Sequence, residues 1–292
     1  MLKTGIVLNS KYRVLRQIGR GGMSRVYLVE DINTGAKKAV KESRRAKGEL
    51  GNAHLQSIRH PGLLRIEEIT NEGNRALILM EYVDGRSLQE ILKENGPQPY
   101  KSLLDWMLQI CDILTYLHNR TPPIIYRDIK PSNIILQPNG VLKLIDFGAA
   151  REYRSDNSED TILLGTRGYA APEQYGGCGQ TDARTDIYGL GATMYHLATN
   201  RDPAKPPCMS SPILHFTSDV PQGFSEIIQK CTNLDPKRRY ESCMELKSDL
   251  LYLKEKELLQ EKYSEHSLHS EIVCNSYNIE TDITIVFTDR ML

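Results

Sequence analysis

The pattern of apolar and polar positions divides the chain into a strand-rich first part and a helical second part. Residues 12–40 alternate in the manner of strands, and the short apolar run 76–80 is typical of a buried strand. Between them, residues 47–59 place apolar side chains at helical spacing and end at His60-Pro61, where proline stops a helix. This part is predicted to be a small β-rich unit with one helix.

The second part begins with the strongest helical pattern of the chain, residues 102–118, which two prolines end. Stretch 151–161 is polar and without periodicity, which is typical of a loop. After about residue 256 the composition drifts to Glu, Ser, His and Asn, and alternation returns only at 283–287, so we expect a tail without a domain of its own. The remaining patterns predict strands over 133–136 and 141–145 and helices over 186–199, 224–232 and 243–256.

Composition and charge exclude several classes of function. The 292 residues carry 37 Lys and Arg against 37 Asp and Glu, and this zero net charge argues against a nucleic-acid partner, which favours an excess of positive charge. No apolar run reaches the roughly 18–20 residues of a membrane span, and the start lacks the apolar stretch of a secretory signal. Six scattered cysteines without a CxxC pair are typical of reduced thiols. We therefore expect a cytoplasmic protein without a membrane span.

A glycine-rich turn and a lysine lie in the strand-rich part. In Ile18-Gly-Arg-Gly-Gly-Met-Ser-Arg-Val26 the glycines let backbone amides approach a phosphate. The segment fits an ordinary tight turn equally well, because Ser24 occupies the third glycine position of GxGxxG and no GK[ST] follows. Lys41, at the end of a predicted strand, could reach the same phosphates, although a single strand lysine is more often only solvated.

A third cluster indicates the chemistry. Tyr126-Arg-Asp-Ile-Lys-Pro-Ser-Asn133 joins a helix to a short strand, and Asp146-Phe-Gly148 begins 18 residues after Asp128. An acid, a lysine and an asparagine at this spacing can orient a hydroxyl, neutralise phosphate charge and bind a metal, and a second acid can hold Mg²⁺. Each residue alone also caps turns, but all of them in this order favour a phosphate-transfer site.

With these motifs the chain resembles the eukaryotic-type (Hanks-type) protein kinases over about residues 12–253. The signature set of that family is a Gly-rich loop, a VAIK lysine, HRDxxxxN, DFG and APE. The corresponding segments here are Gly19-Arg-Gly-Gly22, Lys38-Ala-Val-Lys41, the two segments just described and Ala171-Pro-Glu173. The amino-acid sequences of segments 21–27 and 165–174 are most similar to those of bacterial serine/threonine kinases.

The resemblance implies an α+β, bilobal protein kinase-like fold. The small β-rich N-lobe would comprise about residues 12–81 with one helix, and the larger, mainly helical C-lobe about 84–253. Residues 254–292 would form a C-terminal tail, which we expect to be flexible. Glu173 with Arg239 is similar to the ion pair that braces the lower lobe, and Asp186 to the acid that supports the catalytic loop.

The resemblance also implies the role of each site residue. Asp128 would be the catalytic base, and Lys130 would stabilise the transferring phosphoryl group. Lys41 would bind the α- and β-phosphates of ATP, whereas Asn133 and Asp146 would hold Mg²⁺, or Mn²⁺ in its place. Met80 would be the gatekeeper, and Glu81 and Val83 would supply hinge hydrogen bonds. The implied ATP contacts besides Lys41 are Ile18, Gly19, Gly21, Gly22, Val26, Ala39, Met80, Glu81, Val83 and Ile135.

The implied activity is that of an ATP- and Mg²⁺-dependent transferase, a non-specific serine/threonine protein kinase of the EC 2.7.11.1 type. Lys130 and Thr166 are similar to the serine/threonine branch, so the expected substrate is a protein with Ser or Thr hydroxyls. Arg127 precedes the base, as in kinases whose activation loop is ordered by phosphorylation, and a homodimer would serve autophosphorylation in trans. The candidate phosphorylation sites are Ser155, Ser158, Thr161 and Thr166, in a loop that is as readily explained as merely solvated.

Two positions depart from the family pattern. Tyr126 replaces the usual histidine, and we expect the aromatic ring to fill the same place. The helix glutamate that should pair with Lys41 falls on Gly51, and the nearest acid, Glu49, is two residues early, about 200° around a helix. We expect Glu49 to reach Lys41. One alternative is an ATP-binding pseudokinase scaffold. The other is a kinase-fold enzyme that phosphorylates a small molecule, and the complete segment 165–173 disfavours this second alternative.

Overall fold

A computed structural model describes most of the chain, and the ranges it describes are residues 2–21, 24–44, 52–72, 75–153, 165–175, 180–205 and 212–276. The chain divides into two compact units, Met1–Leu250 and Leu251–Leu292. All of the strands that the structure describes lie in the first unit. The second is helical to Ser276, and the strand pattern at 283–287 lies outside the described residues.

The first part of unit Met1–Leu250 is an antiparallel sheet of six strands in the order β1-β2-β3-β4-β6-β5. These strands are β1 (Val7–Leu8), β2 (Tyr12–Arg20), β3 (Ser24–Asp31), β4 (Lys37–Arg44), β5 (Ile66–Glu72) and β6 (Arg75–Glu81). The turn between β3 and β4 is built by Asp31, whose carboxylate accepts hydrogen bonds from the backbone N–H of Asn33 and Thr34, and by Gly35 at φ +70°. The strand predictions over 12–40 and 76–80 are confirmed.

Strand register gives this sheet two different faces. Tyr27, Val40 and Leu79 are aligned across β3, β4 and β6 and belong to a buried apolar cluster. Because side chains alternate along a strand, the intervening residues lie on the opposite face. Lys41, which is aligned with Val26, is one of them, so the sheet separates a packed core from the face that carries the predicted ATP contacts.

The rest of unit Met1–Leu250 is mainly helical. The α-helices among the described residues are α1 (Asn52–Ser57), α2 (Leu88–Asn95), α3 (Tyr100–His118), α4 (Ala183–Thr199), α5 (Gln222–Cys231) and α6 (Cys243–Ser276). Short strands form two small sheets beside them, β7 (Arg86–Ser87), β9 (Ile134–Leu136) and β10 (Leu142–Leu144) in one and β8 (Ile124–Ile125) and β11 (Arg151–Glu152) in the other. Helix α4 is buried on nearly all sides, so it is the centre around which the helical part packs.

One helix differs from its prediction, and the start of another is not tested. Helix α1 is described only from Asn52, because residues 45–51 lie outside the described part. Helix α6 is longer than predicted and ends at Ser276, beyond the predicted end at Lys256. Residues 257–276 contain neither proline nor glycine, so nothing local breaks the helix there. Of the described helices, none is long and apolar enough to cross a membrane. The boundaries of the predicted domain at 12–253 and of the tail at 254–292 stay predictions.

A buried ion pair braces the helical part. Arg239 Nη1 and Nη2 donate to the two carboxylate oxygens of Glu173 at 2.7 and 3.0 Å, and both side chains are almost fully buried. Thr185 on α4 donates to the same carboxylate at 2.9 Å. Arg239 also donates from Nε to the backbone oxygen of Asn233. The pair therefore links the segment before α4 to the segment before α6.

We predict that Arg239→Ala lowers the free energy of unfolding by about 3–5 kcal/mol, because Glu173 would stay buried without its counter-charge. Arg238→Ala is the matched control: its side chain is 76% exposed and its pairing with Asp235 at 3.8 Å contributes little, so we expect a change within about 0.5 kcal/mol. Urea unfolding of the two variants measures both values. Equal effects of the two substitutions would contradict a bracing role for the pair.

Candidate active site

The glycine-rich turn joins β2 to β3 at the edge of the predicted ATP face. Gly21 N donates to the backbone oxygen of Ser24 at 2.8 Å, and Gly19 is aligned with Val26, whose Cβ would lie 3.4 Å from a Cβ at position 19. Ile18 is exposed, as expected of a residue that a ligand would cover. Gly22 lies outside the described residues.

The other predicted ATP contacts of the N-lobe lie on the same sheet face. Ala39 is aligned with Met80 across β4 and β6, and both are buried. Lys41 follows two residues after Ala39, so its side chain emerges on that face as well. The register therefore brings Val26, Ala39, Lys41 and Met80 together, as the resemblance implies.

The segment after β6 passes close to β9. A Cβ on Gly85, at φ +141°, would lie 2.4 Å from the backbone oxygen of Leu136 and 2.8 Å from Ile135, so only glycine fits. This approach places the predicted hinge beside Ile135. The carboxylate of Glu81 accepts from Lys143 Nζ at 2.6 Å, which fixes the start of the hinge. Sequence reasoning missed Gly85, although its position after an aspartate is a turn signal.

Lys41 meets the aspartate of the DFG motif. Lys41 Nζ donates to Asp146 Oδ1 at 2.7 Å, and Gly148 N donates to the same oxygen at 2.8 Å. A Cβ on Gly148 would lie 3.0 Å from that oxygen, so a side chain there would crowd the pair. The predicted partner Glu49 lies outside the described residues, and its pairing with Lys41 stays a prediction.

Four predicted residues form one hydrogen-bonded cluster around Asp128. Thr166 Oγ1 donates to Asp128 Oδ1 at 2.8 Å, whereas Lys130 Nζ and Asn133 Nδ2 donate to Oδ2 at 2.8 and 2.9 Å. Lys130 Nζ also donates to Thr166 Oγ1 at 2.6 Å. The carboxylate is thereby held in one orientation, with acceptor capacity left for the proton of a hydroxyl.

The backbone before Asp128 is anchored to α4. The buried carboxylate of Asp186 accepts from Tyr126 N at 2.8 Å and from Arg127 N at 2.7 Å. Arg127 has φ +65°, which is unusual for a residue other than glycine. The side chain of Gln174 holds it by donating a hydrogen bond to its backbone oxygen at 2.9 Å. Sequence reasoning missed Gln174, which no local pattern marks.

The buried side chain of Arg127 lies at the start of the activation segment. Its Nε donates to the backbone oxygen of Ala149 at 2.6 Å. Burial, together with the positive charge of Arg151, lowers the pKa of Arg127 to about 10. The positive charges of Arg127 and Arg151 thus repel one another. Residues 154–164, which contain Ser155, Ser158 and Thr161, follow shortly after Arg151 and lie outside the described part.

Tyr126 fills the histidine position with a ring and also uses its hydroxyl. The side chain is fully buried, and its ring meets Phe147 edge to face at 5.7 Å between centroids. Its hydroxyl oxygen accepts a hydrogen bond from Asp146 N at 3.2 Å. Burial raises the pKa of Tyr126 well above its usual value, so the phenol stays neutral. Tyr126 therefore holds the backbone of Asp146 in place through this hydrogen bond.

The donor set suits a hard divalent cation. Asn133 uses its amide nitrogen for Asp128, which leaves its amide oxygen for a cation. Asp146 uses Oδ1 for Lys41 and Gly148, which leaves Oδ2. One carboxylate and one amide oxygen, completed by phosphate oxygens and water, match the preference of Mg²⁺.

Comparisons with known proteins agree with this arrangement. A family model described as the protein kinase domain matches residues 12–251. The serine/threonine-protein kinase PrkC of Bacillus subtilis is 34% identical over 278 residues, which cover 87% of this chain and 42% of that protein. PknB of Mycobacterium leprae, also named a serine/threonine-protein kinase, is 31% identical over 276 residues, with 84% and 43% covered. The chain therefore spans less than half the length of these relatives.

A solved structure shows the fold. The crystal structure of the Mycobacterium tuberculosis PknI kinase domain matches with a TM-score of 0.68 and 22% identity, and the match covers 86% of this chain and 99% of that one. The α+β bilobal fold, with a β-rich N-lobe and a helical C-lobe, is thus confirmed. Because the family model matches most of its length and its relatives are bacterial serine/threonine kinases, the chain belongs to the eukaryotic-type (Hanks-type) protein kinase family.

Proposed function

We propose that this protein is a Mg²⁺-dependent serine/threonine protein kinase that transfers the γ-phosphoryl group of ATP to protein hydroxyls. The hydrogen-bonded cluster of Asp128, Lys130, Asn133 and Thr166 is the observation that carries the proposal. A pseudokinase has no need to hold the base, the lysine and the metal ligand in one network. The names of the relatives support the same activity.

Asp128 is proposed to orient the attacking hydroxyl. Both of its oxygens already accept hydrogen bonds from fixed donors, so the carboxylate is oriented before the substrate arrives. It accepts the proton of the Ser or Thr hydroxyl and aligns the oxygen with the γ-phosphorus. Lys130, 2.8 Å from the same carboxylate, offsets negative charge that spreads over the transferring group.

Lys41, Asn133 and Asp146 are proposed to position the nucleotide. Lys41 lies on the sheet face that receives ATP and contributes positive charge toward its phosphates. When bound, Mg²⁺ supplies charge neutralisation between the phosphate oxygens. The amide oxygen of Asn133 and Oδ2 of Asp146 are the groups of this chain that would hold it.

Phosphorylation of the loop before Thr166 is proposed to raise activity. Arg127 and Arg151 are cationic groups at the start of that loop, and a phosphate with a charge of about −1.5 to −2 would relieve their mutual repulsion. The hydroxyl of Thr166 already donates to Asp128 and accepts from Lys130, which favours Ser155, Ser158 and Thr161 as the modified residues. Homodimerisation for this step and a cytoplasmic location stay predictions.

We predict that Asp128→Asn lowers phosphoryl transfer by at least about 100-fold while Mg-ATP still binds, because only the group that accepts the hydroxyl proton is changed. The measurement is intact mass of the full chain after incubation with ATP and Mg²⁺, with the modified residues mapped. Asp219→Asn, an exposed carboxylate in the helical part, is the matched control and should match the wild type.

Two outcomes would contradict this proposal. ATP binding without phosphate on the wild type or on an added Ser/Thr-containing protein would favour the pseudokinase scaffold. Transfer to a small molecule alone would favour the small-molecule kinase.

We predict that the hydroxyl of Thr166 positions Asp128 and Lys130. Thr166→Ser keeps the hydroxyl and should retain activity within about 3-fold. Thr166→Val keeps the shape and removes both hydrogen bonds. It should lower kcat by about 10- to 100-fold, the effect of one hydrogen bond to a charged group at about 1.5–3 kcal/mol, because Lys130 and Asn133 still donate to Asp128. Similar kcat values for the two variants would exclude this role.

A further inference from the structure

We propose that Arg167 selects substrates in which an acidic residue lies directly beside the Ser or Thr that receives the phosphate. The inference rests on the proposed kinase function and names the substrate class of that same site. Arg167 is exposed and follows Thr166, the residue that donates to the proposed base Asp128 at 2.8 Å. It is therefore the first exposed cation along the chain after the hydroxyl-orienting cluster.

The backbone fixes where Arg167 is presented. Tyr169 N donates to the backbone oxygen of Thr166 at 3.0 Å, which closes a four-residue turn with Arg167 in its second position. Gly168, in the third position, has φ +89°, as a type II turn requires. A second hydrogen bond from Ala170 N to the same oxygen, at 2.9 Å, reinforces the turn.

Three contacts hold this turn rigidly. Thr166 is bound to Asp128, as described above. A Cβ on Gly168 would lie 2.4 Å from Ala204 N, so the turn is packed directly on the backbone of the facing loop. The hydroxyl of Tyr169 and Nδ1 of His196 are 2.5 Å apart, and both side chains are buried. Because its neighbours are fixed, Arg167 binds a partner without the loss of much backbone entropy.

The charge of Arg167 is available to a substrate. In the described part of the chain, no hydrogen bond or ion pair occupies its guanidinium. On the facing loop, Asp202 accepts from Ala204 N at 2.9 Å and pairs with Lys205 at 3.9 Å, so that acid is already engaged. Adjacent residues lie about 3.8 Å apart, so a hydroxyl placed at Asp128 brings the neighbouring substrate side chains within reach of an arginine. A carboxylate is the group that the guanidinium binds best there.

The chain's own sequence carries the matching pattern. Ser155, Ser158 and Thr161, the three of its four predicted sites that the engaged hydroxyl of Thr166 favours, each have an acid directly beside them, as the segments Ser155-Asp156, Ser158-Glu159 and Asp160-Thr161 show, whereas Thr166 lies between Gly165 and Arg167. Asp and Glu make up 37 of the 292 residues, so composition alone does not lead us to expect an acid at all three. A second copy of this chain is therefore a substrate of the proposed class.

The test uses the full chain and synthetic peptides that contain a single serine. The peptides differ only in the residues on the two sides of that serine, which are Glu, Ala or Lys, and two further peptides carry Glu on one side only. The proteins are the wild type, Arg167→Ala, Arg167→Glu and, as the matched control, Arg238→Ala, which removes another exposed arginine elsewhere. The readout is the ratio of kcat/KM between peptides, which cancels any general change in activity.

We expect the wild type and Arg238→Ala to prefer the Glu peptide over the Ala peptide by about 5-fold, the upper end of what one exposed ion pair usually contributes. In Arg167→Ala the ratio should fall to about 1, and Arg167→Glu should prefer the Lys peptide. The wild-type preference should also shrink as salt is raised. The peptides with a single Glu show on which side of the serine Arg167 binds the carboxylate.

A wild-type ratio near 1, or a preference that survives in Arg167→Ala, would overturn the inference while the kinase function stands. If no peptide is phosphorylated, the proposed function itself fails, and binding still tests Arg167. Fluorescence anisotropy with labelled peptides in which alanine replaces the serine measures that binding directly. Tighter binding of the Glu peptide that Arg167→Ala abolishes would support the role of Arg167 without any transfer, and equal binding of all peptides would overturn it.

Discussion

The arrangement of the site depends on one buried carboxylate, that of Asp186. It accepts hydrogen bonds from two consecutive backbone N–H groups, Tyr126 at 2.8 Å and Arg127 at 2.7 Å, from the central helix α4. Arg127 adopts φ +65°, a conformation that costs about 1–3 kcal/mol, so the loop would not keep this shape by itself. Because Asp128 follows Arg127 directly, the same contact sets the position of the proposed base and of everything hydrogen-bonded to it.

The other side of this carboxylate connects the loop to two further helices. His118, at the end of α3, has its Nε2 2.8 Å from Asp186 Oδ2, and Cys243 Sγ at the start of α6 lies 3.9 Å from His118 Nδ1. A cysteine, a histidine and an aspartate in series are similar in outline to a catalytic triad. Burial, however, raises the pKa of the Cys243 thiol well above its usual value, so the thiol is not a nucleophile at neutral pH. The series instead ties α3, α4 and α6 to the catalytic loop.

The residues that meet in the site were predicted from the sequence, because its resemblance to the protein kinases implies an acid, a lysine and metal ligands in a fixed order along the chain. Helix α3 was predicted equally well, from the helical spacing of its apolar residues. The hydrogen bond of the Tyr126 hydroxyl to Asp146 N and the left-handed Arg127 were not, since they depend on contacts between residues 20 to 60 positions apart. The end of α6 was missed for a different reason. A run of polar residues occurs on an exposed helix as well as in an unstructured tail, and only a helix-breaking residue such as proline or glycine distinguishes the two.

Asp186 thus positions a base that it does not touch. The most direct measurement is kcat for phosphoryl transfer by Asp186→Asn, together with Kd for Mg-ATP and the circular dichroism spectrum of the variant. Loss of the charged acceptor should lower kcat by at least about 10-fold, with Mg-ATP bound within about 3-fold of the wild type and a native spectrum, because the N-lobe face is untouched. A natively folded variant with wild-type kcat would show that Asp128 is positioned without Asp186 and would contradict this role of the buried carboxylate.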